Sequence, residues 1–229
     1  MAAPLPPNVH VSQHPCLKAK LSDLRSASTN ARETKALVHE IAIILGCEAL
    51  AQTLTASDGP KNKSVLGHDY PTTTISPTHI SLVPILRSGL GMVDALQTLL
   101  PASTPIHHLG LYREPSTLQP VEYYNNLPHA QTPPSSLAII LDPIIATGGT
   151  ATAAIQTLLE WGVRKVLVLS VLASGEGLRG AAEEWVRQGE KVEVEFWVGA
   201  VDEGGLNDKG MIMPGLGDVG DRLFLTIGK

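Results

Sequence analysis

A chain of 229 residues with 43% hydrophobic content can bury a sizeable core in one large domain or two small ones. Only 4% of the residues are aromatic, so that core must be aliphatic side chains and alanine, as in parallel α/β sheets. A net charge of −5 excludes a protein that holds nucleic acid by general electrostatics, and two cysteines exclude a disulfide framework.

In chain order, the first seven residues are proline-rich, and residues 1–12 are expected to be disordered, with 13–229 forming a single domain. Cys16 and Cys47 read as reduced, partly buried thiols. The start, Met1-Ala-Ala-Pro-Leu-Pro-Pro, lacks a basic region followed by an apolar one, so no secretory signal is expected. No segment reads as long enough to cross a membrane, which gives a cytoplasmic expectation with no membrane partner. Asn30 with Glu33 forms a capping box, and Leu37, Ile41, Ile44, Leu45 and Glu48 follow helical spacing up to about Leu54. The polar run 56–64, with Asp58-Gly-Pro60, reads as a loop, and its Asn62-Lys-Ser64 glycosylation pattern is silent without secretion.

Beyond it the chain alternates. Residues 80–86 read as strand, 89–100 as a helix stopped by Pro101, and 106–112 as strand. The run 114–136 is rich in Pro and Asn and carries Tyr123 and Tyr124. It is a long excursion suited to a hairpin. Residues 137–141 read as strand, 150–161 as a helix closed by Gly162, 165–172 as strand and 176–188 as helix. The alternating run 192–198 reads as an edge strand. The pattern predicts a mostly parallel central sheet flanked by helices, with ligands beyond the carboxyl ends of its strands.

Three motifs begin at such ends. The first is Val83-Pro-Ile-Leu-Arg87-Ser-Gly-Leu-Gly91, where small residues open a helix beside an arginine able to grip an anion by two donors. The second is Arg113 and the loop after it, long enough to close over a ligand or to reach another subunit. The third runs from Asp142 through Pro143, Ile144, Ile145 and Ala146 to Thr147-Gly148-Gly149-Thr150. There, backbone N–H groups, two hydroxyls and a helix N-terminus converge beside a carboxylate. No Gly-Lys-Ser/Thr ending is present, so the cradle suits a sugar phosphate rather than a nucleoside triphosphate. Near the C-terminus, 204–224 is too Gly-rich for helix or regular strand. It is either a structural loop or a backbone shaped to present N–H and C=O groups to a planar base. His107 and His108 point to opposite faces of a strand and cannot chelate one ion, so one is read as packed and one as exposed.

The Asp142–Thr150 stretch resembles the phosphoribosyl pyrophosphate (PRPP) motif of type I phosphoribosyltransferases. Pro143, where most members have a second acid, points to the uracil phosphoribosyltransferases, whose pattern runs Asp-Pro-x-x-Ala-Thr-Gly-Gly-Ser/Thr. The Arg87 segment is similar to the family's Val-Pro-Ile-Leu-Arg-Ala-Gly-Leu-Gly, with Ser88 for alanine. Residues 210–221 resemble its Gly-Tyr-Ile-x-Pro-Gly-Leu-Gly-Asp-Ala-Gly-Asp, with Met211 for the aromatic and Val219 for alanine. His14-Pro15, Lys18 and Leu21 echo the family's start, and the run Glu-Pro-Ser-Thr at 114–117 replaces a more acidic one.

The resemblance implies a type I phosphoribosyltransferase-like fold with a hairpin or lid excursion and a Gly-rich C-terminal base-binding segment. It implies a pentosyltransferase of pyrimidine salvage that makes UMP and pyrophosphate from uracil and PRPP with Mg2+. Arg87, Arg113, Asp142 and Asp218 would be catalytic. PRPP would contact these four and the run Pro143, Ile144, Ile145, Ala146, Thr147, Gly148, Gly149 and Thr150. Uracil would contact Ile212, Gly217, Asp218 and Val219. Magnesium would be held through PRPP and water, with no directly assigned protein ligand. The resemblance leaves room for a GTP effector and implies a homodimer or homotetramer. The rival reading is an inactive relative that keeps the fold as a binding or assembly module. A nucleotide-sensing RNA binder would need a basic face that the net charge does not supply.

Overall fold

Ten strands and six helices form from the described residues, which are 3–114, 119–128, 135–188 and 192–226 of this computed structural model. The first part of the chain gives β1 (Val9–Val11), α1 (Pro15–Arg25), α2 (Ala31–Thr53), β2 (Thr55–Lys63) and β3 (Asp69–Ser76). Next come β4 (Ile80–Leu86), α3 (Leu90–Leu99), β5 (Leu109–Arg113), β6 (Pro120–Asn125), β7 (Leu137–Leu141) and β8 (Ile144–Ile145). The chain continues with α4 (Gly149–Trp161), β9 (Lys165–Ser174), α5 (Gly175–Gln188), β10 (Glu193–Asp202) and α6 (Val219–Phe224).

The main sheet has the order β1-β10-β9-β7-β4-β5-β6, with β8 added beside β9. Its pairings are parallel except that β6 runs antiparallel to β5, so the predicted parallel sheet and the hairpin excursion are both present. Both faces of the sheet are covered. Along β7 and β9, Ile139, Leu141, Leu167 and Leu169 enter one core with α1, α2 and α3. Ala138, Ile140, Val166 and Val168 enter a second core with α4 and α5. Strands buried on both sides lose the polar alternation of a half-exposed sheet, which is why 137–141 reads as a continuous apolar run.

Helix α1 went unread in the sequence, although its signals are ordinary. His14 accepts from the Cys16 N–H at 3.2 Å, Pro15 opens the first turn, and Leu17, Leu21 and Leu24 form the buried stripe. The capping box of α2 is formed as expected, with both Asn30 and Glu33 bonds at 3.0 Å. By length and composition α2 could cross a membrane, against the expectation that no segment could. In the fold its Val38, Ile41, Ala42, Leu45 and Ala49 are fully buried against the sheet and neighbouring helices.

Five further expectations are corrected. Residues 1–12 were expected to be disordered, yet Val9–Val11 pair in parallel with Phe196–Val198, and Asn8 donates to the carbonyls of Ala182 and Val194. That pairing makes β10 an inner strand instead of the edge its alternation suggested. The run 56–64 is not a loop: it pairs antiparallel with β3 in a hairpin apart from the main sheet, with a bulge between Asp58 and Lys61. Cys16 and Cys47 are exposed, because each lies on the solvent side of its helix. His107 and His108 are both half-buried, and His107 meets Trp161 edge-on at 5.3 Å. Among the described residues no group of three or more His, Cys, Asp or Glu side chains is arranged to hold a metal ion.

Candidate active site

Beyond Leu141 the chain leaves the sheet core at Asp142, a residue only 6% exposed. The Pro143 carbonyl accepts from the N–H groups of Val171 and Leu172 at 3.0 Å, and Ile144 and Ile145 pair with Leu172 and Ala173. These bonds spend the backbone of 143–145 on β9, leaving the turn that follows free to face outward. Gly148 then takes φ +84°, and a Cβ there would stand 2.3 Å from the Gly177 carbonyl oxygen. Only glycine fits that position. Gly149 differs: its φ is not positive and a Cβ would meet Pro120 only at 3.5 Å, so the second glycine is not required by sterics here.

Ser174 holds the cradle from behind. Its hydroxyl donates to the Ala146 carbonyl at 2.5 Å and accepts from the Gly177 N–H at 3.0 Å. The Ala146 carbonyl is thereby turned away from the concavity, which leaves N–H groups and the Thr147 and Thr150 hydroxyls as the donors near an anion.

Arg87 stands at the end of β4, and its peptide bond to Leu86 is cis. Its Nη1 donates to Thr226 Oγ1 at 2.5 Å and its Nη2 to Asp221 Oδ1 at 3.0 Å. Ser88 lies alongside Asp142, Oγ to Oδ1 at 3.5 Å. Arg113 closes β5 opposite Pro120; its side chain and residues 115–118 lie outside the described residues, as does the role expected of them as a lid.

The Gly-rich segment is ordered by its own backbone. Leu206 bridges Ile212, and Asn207 Oδ1 accepts from the N–H groups of Lys209 and Met211 at 3.0 Å. Asp218 caps α6 by accepting from the Asp221 N–H at 2.9 Å. Val219 is 3% exposed and belongs to the core shared with Leu216 and Leu223. Behind the segment, Arg222 Nη1 donates to the carbonyls of Leu24 and Leu216 at 2.7 and 2.9 Å, and burial lowers its pKa from the ordinary value.

One cleft of about 390 Å³ at the carboxyl ends of the strands collects these parts. Arg87, Asp142, Ile144–Gly148, Thr150, Ile212 and Gly217–Val219 line it, whereas Pro143 and Gly149 do not. Tyr112, Tyr123 and Lys209 line it too, and the sequence reading did not single them out as ligand contacts. Ser174 and Asp202 were also missed. Each is an acid or hydroxyl at the carboxyl end of a buried strand, the signal that had marked Asp142.

Proteins of known name resemble this chain over nearly its whole length. A protein 42% identical over 225 residues, from Roseiflexus castenholzii, is named uracil phosphoribosyltransferase; the match covers 95% of this chain and 98% of that one. One of the same name from Brevibacillus brevis is 39% identical with the same coverage. A solved structure of a protein from Aquifex aeolicus superposes with a TM-score of 0.84 at 33% identity, covering 95% of this chain and 98% of its own. The family model described as uracil phosphoribosyltransferase matches residues 11–226, a span that takes in the whole cleft, and the chain therefore belongs to that family.

Proposed function

We propose that this chain transfers the phosphoribosyl group of PRPP to uracil, giving UMP and pyrophosphate. The observation that carries the reading is the convergence of the Arg87 turn, the Asp142–Thr150 cradle and the Ile212–Gly220 segment on one cleft. The cradle receives the 5′-phosphate on backbone N–H groups and the Thr147 and Thr150 hydroxyls. Asp142, buried beside it, accepts from the ribose hydroxyls. Arg87 and Arg113 receive the pyrophosphate, whose charge grows as the glycosidic carbon takes on oxocarbenium character.

The base approaches along the Gly-rich segment, where Ile212, Gly217, Asp218 and Val219 are the proposed contacts, and Asp218 is shared with PRPP. Uracil N1 attacks the anomeric carbon from the face opposite the departing pyrophosphate. The C1–N1 bond forms as the C1–O bond to pyrophosphate breaks, and the N1 proton is released to water or to the departing pyrophosphate. Orientation and charge stabilisation do most of the work, so no strong general base is needed. Asp142 and Asp218, carboxylates that line the cleft, would face the water shell of a magnesium ion brought with PRPP, which would offset the pyrophosphate charge.

The test is UMP formation from uracil, PRPP and magnesium by the purified protein. Turnover supports the reading. A protein that binds PRPP yet forms no UMP overturns it in favour of an inactive binding module.

A further inference from the structure

Asp202 is the last residue of β10, and its side chain is 9% exposed. It meets Arg25, the last residue of α1, in a two-pronged pair: Arg25 Nη1 donates to Oδ2 at 2.8 Å and Nη2 to Oδ1 at 2.7 Å. Planar forks of this kind fix orientation as well as charge. The pair does more than close on itself. Asp202 Oδ2 also accepts from the Gly215 N–H at 3.0 Å, and Arg25 Nη1 also donates to the Gly215 carbonyl at 3.0 Å. Both backbone polar groups of one residue are therefore held by one ion pair. Gly215 has φ +65°, and a Cβ there would lie 2.1 Å from the Ile212 carbonyl oxygen, so its own conformation is tightly confined.

Gly215 stands between Ile212 and Gly217–Val219, the residues through which the proposed function reads the base. Neither Arg25 nor Asp202 lines the cleft, so neither can touch a ligand there. We propose that Asp202, with Arg25, is a positioning residue for base recognition. The pair clamps the Gly215 backbone so that the donors and acceptors of 216–219 face the base before it arrives. This inference rests on the functional reading above. A preset segment spares the incoming base the entropy of ordering it, so loss of the clamp appears in base affinity ahead of turnover.

The test uses D202N, which keeps the shape but loses the charge, and R25K, which keeps the charge but loses the fork. In D202N the KM for uracil should rise about ten-fold, because the base must then order a loosened segment. Turnover at saturating uracil and PRPP affinity by calorimetry should stay within about three-fold, since the cradle of 146–150 is held separately by Ser174. R25K should shift the uracil KM in the same direction by less. Amide hydrogen exchange on the whole protein gives a readout without catalysis: 212–219 should exchange faster in both variants, and 146–150 should not. If D202N does not fold, R25K decides alone. Unchanged exchange in 212–219, or an equal rise in both Michaelis constants, overturns the clamp. Absence of UMP formation by the unsubstituted protein overturns the functional reading instead.

Discussion

Arg87 and Asp221 share a closed triangle with Thr226. Asp221 Oδ1 accepts from Arg87 Nη2 at 3.0 Å and from the Thr226 hydroxyl at 2.6 Å, while that hydroxyl accepts from Arg87 Nη1 at 2.5 Å. The guanidinium proposed to receive pyrophosphate is thus held by the first turns of α6 and the chain after it. With Arg87 46% and Asp221 29% exposed, the ion pair is a weak tether that a multiply charged anion can outcompete.

Arg87→Ala should therefore cost about 2–4 kcal/mol in kcat/KM, the range for a lost donor to developing charge. Asp221→Asn should change the KM for PRPP by less than about five-fold, since a half-exposed pair contributes at most about 1 kcal/mol. Initial rates on both variants separate the cases. A loss in Asp221→Asn as large as that in Arg87→Ala would show that the tether itself is needed.

The two cradle glycines should respond differently. Gly148→Ala meets both a positive φ and the Gly177 carbonyl, so the fold must strain or α5 must shift. With strain of about 1–3 kcal/mol, Tm should fall by roughly 2–12 °C in a chain of this size and PRPP binding should weaken sharply. Gly149→Ala has room and should leave Tm nearly unchanged. Thermal melts with PRPP calorimetry check both; equal Tm values for the two variants would contradict the assignment of Gly148 as the constrained glycine.

How far the sequence could be read follows the same physics. The cradle was legible because strand, acid, glycine turn and helix are contiguous, and local order survives in one dimension. The clamp was not, because Arg25 and Asp202 lie far apart in the chain and meet only once α1 packs on the sheet. The misreading of β10 as an edge had a local cause: β1 is three residues long, and nothing in Val9–Val11 announces a partner. The hairpin β2–β3 escaped notice because nearly all its residues are exposed on both faces, so no apolar alternation marks it. The Ser174 hydroxyl sits within an apolar run, where its partner across the turn, the Ala146 carbonyl, leaves no trace in sequence.

His107 gives a prediction in pH. Burial, then the neighbouring His108 charge, lowers its pKa from the usual 6.5. The unfolded chain takes up that proton near pH 6.5, whereas the native state refuses it until lower pH. Stability must then fall as pH drops from 6.5 towards the depressed native value, and level off below it. His107→Gln should flatten this part of the profile. Melts across that range check the sign; a native protein that gains stability on acidification through it would contradict the burial argument.

Base selectivity tests the Gly-rich segment most directly. Uracil offers two carbonyls flanking an N–H, whereas cytosine carries an amino donor in place of one carbonyl and lacks the N3–H. A backbone preset for uracil then leaves a donor facing a donor and an acceptor facing a lone pair. Such mismatches typically cost a factor of about 10⁴ in a site built to hydrogen-bond the right group. Val219 adds a second expectation. The residue is 3% exposed and packs in the core with Leu216 and Leu223 while also lining the cleft. Val219→Ala removes two buried carbons and should cost about 1.6 kcal/mol of stability at roughly 0.8 kcal/mol each. The space it opens adjoins the cleft that Val219 lines, so turnover of uracil should be kept or raised while Tm falls. The measurement is turnover of uracil and of cytosine by both proteins at equal PRPP and magnesium, with a melt on each. Comparable rates for the two bases would refute recognition of uracil by the backbone of 216–219. A sharp loss of uracil turnover in a folded Val219→Ala protein would show that the valine shapes the pocket this chain needs.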